Sequence, residues 1–153
     1  MKQKLFFYFI IAIIVVIFDQ STKTLVKLYV HPLETIRILP FFNIVYVENI
    51  GSAFGMFKNL GNTFFIIVSF LALAFISFLL VKEEYNKIYY ALILGGAVGN
   101  LLDRLIYGYV IDFFDLHIRG VHWPAFNIAD SALTIGIIML LFKTIFPGKQ
   151  SVA

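Results

Sequence analysis

Four apolar runs dominate the chain, at about 5–25, 63–81, 88–107 and 128–146, each bounded by charged or turn-forming residues. A helix needs roughly 20 residues to cross a hydrocarbon core of about 30 Å, so each run predicts one transmembrane helix. The second and third runs are separated by a short interval, whereas the outer segment at about 31–62 is long, and there "FFNIVYVEN" alternates like a strand and "NIGSAFG" reads as a turn. Just past the third run, "GYVIDFFDL" at 108–116 is rich in β-branched and aromatic residues and predicts another extended stretch. The pattern therefore describes an all-α membrane protein of four transmembrane helices with a small β-containing extracytoplasmic subdomain, all in one integral membrane domain over 1–153.

Lys2, Lys4, Lys82, Lys87, Lys143 and Lys149 fall at the termini and in the loop between the second and third runs, which four crossings put on one side. Lysine and arginine mark the cytoplasmic side, so both termini are expected there. Lys2 and Lys4 ahead of an apolar run also suit a secretory leader, but no small-residue cleavage site follows, and the run reads as a retained anchor.

Composition agrees and narrows the function classes. At 61% hydrophobic and 14% charged residues the chain is not an ordinary soluble domain. An aromatic share of 18% suits contact with membrane lipids along the spans and at the interface. A net charge of +3, broken up by apolar runs, leaves no nucleic-acid footprint. The absence of cysteine excludes disulfides, thiolate catalysis and thiolate metal sites.

The placement of acids points to chemistry. Asp19, Asp103 and Asp130 lie near the outer ends of three runs and Glu34, Glu48, Asp112 and Asp115 in the outer loops, leaving only Glu83 and Glu84 inside. Acids within membrane helices are costly unless paired, solvated or functional. Asp19 and Lys23 are four apart on one helix face and read as a structural pair. Asn100, Asp103 and Arg104 form a polar stripe at i, i+3 and i+4, while Gly95 and Gly99 have the spacing of closely approaching helices. That glycine-rich stretch lacks the Lys and Ser or Thr of a phosphate loop, so nucleotide binding is not expected. Asn127 is placed to cap the fourth helix, with Asp130 in its first turn.

Asp112 and Asp130 have no basic residue at helical spacing. Two such carboxylates brought together divide the labour: one is forced to hold a proton and the other stays charged, so the pair suits acid–base attack of water on a peptide bond. Metal catalysis is the competing chemistry, but His31, His117 and His122 sit in outer loops without an HExxH pattern, and neither a metal nor a cofactor is expected. Ser131 has no histidine placed as its base.

The segments "DQSTK" (19–23), "NIGSAFG" (49–55), "GGAVGNLLDR" (95–104), "GYVIDFF" (108–114) and "PAFNIADSAL" (124–133) together resemble the lipoprotein signal peptidase, or signal peptidase II, family, in order and over nearly the whole chain. The resemblance implies Asp112 and Asp130 as the catalytic aspartates. It implies Asn49, Asn100, Asp103, Arg104 and Asn127 as residues that shape or polarise the substrate site. It further implies an aspartic endopeptidase of the bacterial cytoplasmic membrane with its site near the outer face. Such an enzyme removes signal peptides from diacylglyceryl-modified prolipoproteins, cutting before the lipidated cysteine, and is the target of globomycin-type cyclic peptides. A small proton-coupled carrier or channel subunit is the alternative class, and it requires a polar path to the inner face. The inner halves "FFYFIIAII", "FISFLLV", "KIYYALIL" and "IGIIMLLF" offer little for one. A scaffold role has no sequence feature in its favour.

Overall fold

With no glycine or proline to interrupt it, the first apolar run continues as a single helix well past its expected end, forming α1 (Lys2–Tyr29). The computed structural model describes residues 2–51 and 60–146. After α1 come β1 (Thr35–Leu39), β2 (Phe42–Asn49), α2 (Gly61–Lys82), α3 (Lys87–Ile106), β3 (Val110–Ile118), β4 (Val121–His122) and α4 (Ile128–Ile145).

The helices do not share one role. In α2 only Leu80 is buried, so a helix apolar on every side presents nearly all of that surface outward, as a lipid-facing helix does. In α3 nine residues are buried, including Gly95, Gly96, Gly99 and Asp103, because the other three helices all pack against it. Ala12 abuts Gly95 and Asp19 abuts Gly99, so α1 and α3 run the same way; Ala129 abuts Gly96 and Tyr89 abuts Gly136, so α4 runs opposite. At Gly96 an added Cβ would meet the Ala129 carbonyl, a backbone atom that cannot turn aside.

Among the described residues three helices are long and apolar enough to cross a membrane, Leu5–Tyr29, Gly61–Lys82 and Ile128–Ile145. The fourth span expected at about 88–107 is not among them. Its tyrosines and glycines, with Asn100, Asp103 and Arg104, dilute the apolar character that a helix facing lipid requires, and α3 faces protein instead.

The strands form one antiparallel sheet in the order β1-β2-β3-β4. It packs against the end of α1, where Phe113 meets Val26 and Val30. The two expected extended stretches are β2 and β3. The segment "HIRGVHWP", expected as loop, instead pairs His117 with His122 and Ile118 with Val121. Arg119 and Gly120 turn this hairpin at φ 50° and 82°, the geometry of a tight primed turn. Of the expected turn "NIGSAFG", residues 52–55 lie outside the described residues.

Candidate active site

The site rests on a buried ionic layer. Lys23 Nζ lies 2.8 Å from Asp19 Oδ2 and 2.8 Å from Asp103 Oδ2, and donates to Asn100 Oδ1 at 3.1 Å. Lys23 is 2% exposed and both aspartates 0%, so these charges are largely withdrawn from bulk solvent and depend on one another. Asp19 Oδ1 also accepts from the backbone N–H of Ala129 at 2.8 Å, and the first turn of α4 is thereby tied to α1. Asp103 Oδ2 accepts from Ile111 N at 3.1 Å, which ties down the start of β3 next to Asp112. The residues expected as a pair thus form a three-membered cluster, with Asp103 as its third charge. Gln20, which the sequence did not single out, completes it by donating to Asp103 Oδ1, Gly99 O and Asp19 Oδ2 at 2.9, 3.1 and 3.2 Å. Its sequence signals are its place in "DQSTK" and an amide inside an apolar run.

Above this layer the chain brings Asp112 and Asp130 to one cavity of about 920 Å³. Asp112 arrives on β3 and Asp130 on the first turn of α4. Three steps along β2, from Ile44 to Val47, oppose two along β3, from Phe114 to Asp112, so a bulge resets the register. Val47 and Asn49 thereby share the face of Asp112, and Asn49 Nδ2 donates to Asp112 Oδ2 at 2.8 Å.

Asn127 joins the two acids. Its side chain accepts from Asp130 N at 2.8 Å while Asp130 Oδ2 accepts from Asn127 N at 3.3 Å, a reciprocal cap in which the N3 acid is Asp130 itself. The same side chain donates from Nδ2 to Asp112 Oδ1 at 2.7 Å. Asn100 Nδ2 donates to Asp130 Oδ1 at 2.7 Å and its Oδ1 accepts from Asn127 Nδ2 at 3.2 Å. Amides therefore orient both carboxylates. Burial, reinforced by the negative charge of Asp130, pushes the Asp112 carboxyl up to about 7 against the pull of Asn49, Lys23 and Asn127.

The cavity wall is mostly apolar, with Val47, Leu116, Trp123, Phe126 and Ile135 around the two acids, and Glu48, Ser131 and Thr134 add polarity. Arg104 lies outside this lining, its guanidinium 4.5 Å from the Phe65 ring centre and its carbonyl accepting from Asn62 Nδ2 at 3.0 Å. Asn100, Asp103 and Asn127 likewise sit behind the lining rather than on it. The wall residues Leu116, Trp123 and Phe126 have no sequence signature of a site, since they are ordinary apolar positions until the sheet and α4 face each other.

Known proteins resemble this chain over nearly its whole length. The sequence model of the signal peptidase (SPase) II family matches residues 11–146. A lipoprotein signal peptidase of Thermodesulfovibrio yellowstonii is 48% identical over 95% of this chain and 99% of its own, and one of Francisella tularensis subsp. novicida is 41% identical over 94% of each. A solved bacterial membrane enzyme, 35% identical, superposes with a TM-score of 0.81 over 95% of this chain and 94% of that one. A family match over most of the sequence, with the same fold in a membrane enzyme, leaves one assignment for this multi-pass membrane chain: it belongs to the signal peptidase II family.

Proposed function

We propose that the two-carboxylate cleft is the catalytic centre of an aspartic endopeptidase that removes signal peptides from diacylglyceryl-modified prolipoproteins, cutting just before the lipidated cysteine. One observation carries the reading. Asp112 and Asp130 line the same cavity, and their side-chain hydrogen bonds among the described residues come from amides and a backbone N–H, whereas Asp19 and Asp103 share an ion pair with Lys23. Asp112, raised to about 7, keeps its proton in a large share of molecules at neutral pH and donates it to the scissile carbonyl oxygen. Asp130, the other member of the pair, takes a proton from the attacking water. Asn49, Asn100 and Asn127 fix the direction of both groups, so little reorganisation precedes the chemistry.

A lipidated precursor is itself a membrane helix, and its scissile bond must reach the site from the bilayer. Thr134 and Ile135 extend the cavity along α4, and Ile135 belongs to that helix's exposed apolar surface, so entry is lateral. In this proposal α3 is a fourth span, shielded by its three neighbours, and both termini are cytoplasmic. Lys82, Lys87 and Lys143 lie at helix ends opposite the sheet, which supports that orientation. Globomycin-type cyclic peptides occupy the same cleft.

The test is incubation of the purified protein with a lipidated and an unlipidated prolipoprotein, with and without EDTA. Cleavage of the lipidated form alone, unchanged by chelator, is expected. Cleavage of both removes the lipid requirement, and loss of activity restored by a divalent cation removes the aspartic mechanism.

A further inference from the structure

Behind the cleft lies a second polar cluster that neither the acid pair nor the ionic layer uses. Successive residues of a strand point to opposite faces, so Asp115 faces away from the cleft that Asp112 enters. It is 7% exposed, yet two side chains reach it: Asn43 Nδ2 donates to Oδ2 at 2.7 Å and His122 Nδ1 contacts Oδ1 at 2.7 Å. Asn43 stands directly across from Asp115 on β2, and His122 belongs to β4, so one carboxylate links three strands. Burial pushes the Asp115 carboxyl up, but the hydrogen bonds from His122 and Asn43 and the neighbouring imidazoles outweigh it and hold it below the usual carboxylate range. His117 stacks on His122, ring centres 4.8 Å apart.

The next residue after His122 is Trp123, where the cleft wall begins. β4 is only two residues long and both are exposed, too little backbone pairing to hold a strand firmly. From Trp123, whose N–H donates to Leu116 O at 2.8 Å, the chain crosses Pro124 and Ala125 to Phe126, which exchanges hydrogen bonds with Phe114. All four of these residues line the cavity. Its far end is fixed by a ladder, and its near end by the Trp123–Leu116 backbone bond together with the grip of Asp115 on His122.

We infer that Asp115, His122 and Asn43 form a positioning brace that holds the Trp123–Phe126 wall against the substrate, so that this cluster sets substrate affinity while the acid pair alone sets the chemical step. The inference rests on the peptidase reading for its effect on substrate, but its effect on the wall is independent of any activity. None of the three residues lines the cavity, so they act through Trp123.

Trp123 is the single tryptophan of the chain, and its fluorescence reports the wall directly. His122→Ala should raise KM for a lipidated prolipopeptide about tenfold, the scale of a lost hydrogen bond to a charged group, with kcat within about twofold. In the same micelles Trp123 emission should shift and iodide quenching should increase. His122→Asn, whose amide nitrogen stands near the position of Nδ1, should restore both KM and emission to near the wild-type values. Unchanged Trp123 emission in His122→Ala, a fall in kcat with KM constant, or failure of His122→Asn to rescue emission overturns the brace. If the wild type cleaves no lipidated substrate, the peptidase reading fails, while the emission comparison still decides whether the brace exists.

Discussion

Replacing Asp112 by asparagine should abolish cleavage and yet stabilise the folded protein, by an amount that depends on pH. An isolated aspartate titrates near 3.8, and in the fold burial and the charge of Asp130 raise Asp112 to about 7. The native state therefore binds more protons than the unfolded state between these values, and stability falls as pH rises from about 4 to about 7. At about 1.4 kcal/mol per pH unit, the native carboxyl costs about 4 kcal/mol at pH 8 but only about 2 kcal/mol at pH 5, where it keeps its proton. Asparagine carries no such cost. It also offers one acceptor where Asn49 and Asn127 both donate, a mismatch of about 1 kcal/mol at every pH. The variant should thus gain about 3 kcal/mol over wild type at pH 8 and no more than about 1 kcal/mol at pH 5. Equilibrium unfolding in detergent micelles at the two pH values measures the difference, and cleavage of a lipidated substrate by the same samples measures activity. A stability difference that does not change with pH, or a variant less stable than wild type at pH 8, would refute the burial of Asp112 beside a second charge. Residual activity within a few-fold of wild type would remove its role as the acid. In wild type, kcat/KM should decline above about pH 7 as Asp112 loses the proton it donates.

The ionic layer should respond asymmetrically: Lys23→Met strands two buried carboxylates and should cost about 3–5 kcal/mol, seen as lost yield and a lower unfolding midpoint. Adding Asp19→Leu and Asp103→Leu should recover part of that, and no recovery would mean that the three do not act as a unit. Gly95→Ala places a Cβ 2.7 Å from the Ala12 carbonyl and should force α1 from α3, lowering stability by about 1–3 kcal/mol, whereas Gly120→Ala meets no atom of the described residues within 4 Å and should show only the smaller cost of its positive φ. With no native cysteine, single cysteines can be labelled without background. An impermeant thiol reagent on cells with any outer membrane permeabilised should modify Gly120→Cys and spare Glu84→Cys, and the reverse pattern would invert the proposed topology.

The hydrophobic pattern by itself determined the helices, because a run of apolar residues admits few other fates and its ends are set by Asn127, Lys82 or Tyr107 within a few positions. It also determined that Asp19 and Lys23 meet, since spacing along one helix decides that contact without any partner. The family motifs in the chain put Asp112 and Asp130 forward as candidates. Tertiary structure alone decided the rest. That Lys23 serves Asp103 as well as Asp19 depends on how closely α1 approaches α3, a distance set by Gly95 and Gly99 rather than by either charged segment. Whether α3 faces lipid or protein is likewise a matter of its neighbours, which is why its apolarity falls short of its companions'. The bulge in β2 that turns Asn49 toward Asp112 is a one-residue register shift, and alternation along one strand is the same on either side of it. Asn127 reads locally as a helix cap; its second hydrogen bond, to Asp112, spans elements whose mutual placement no local spacing encodes. Local periodicity records which face of an element seeks cover, but the distance between two side chains on different elements is settled only when those faces pack.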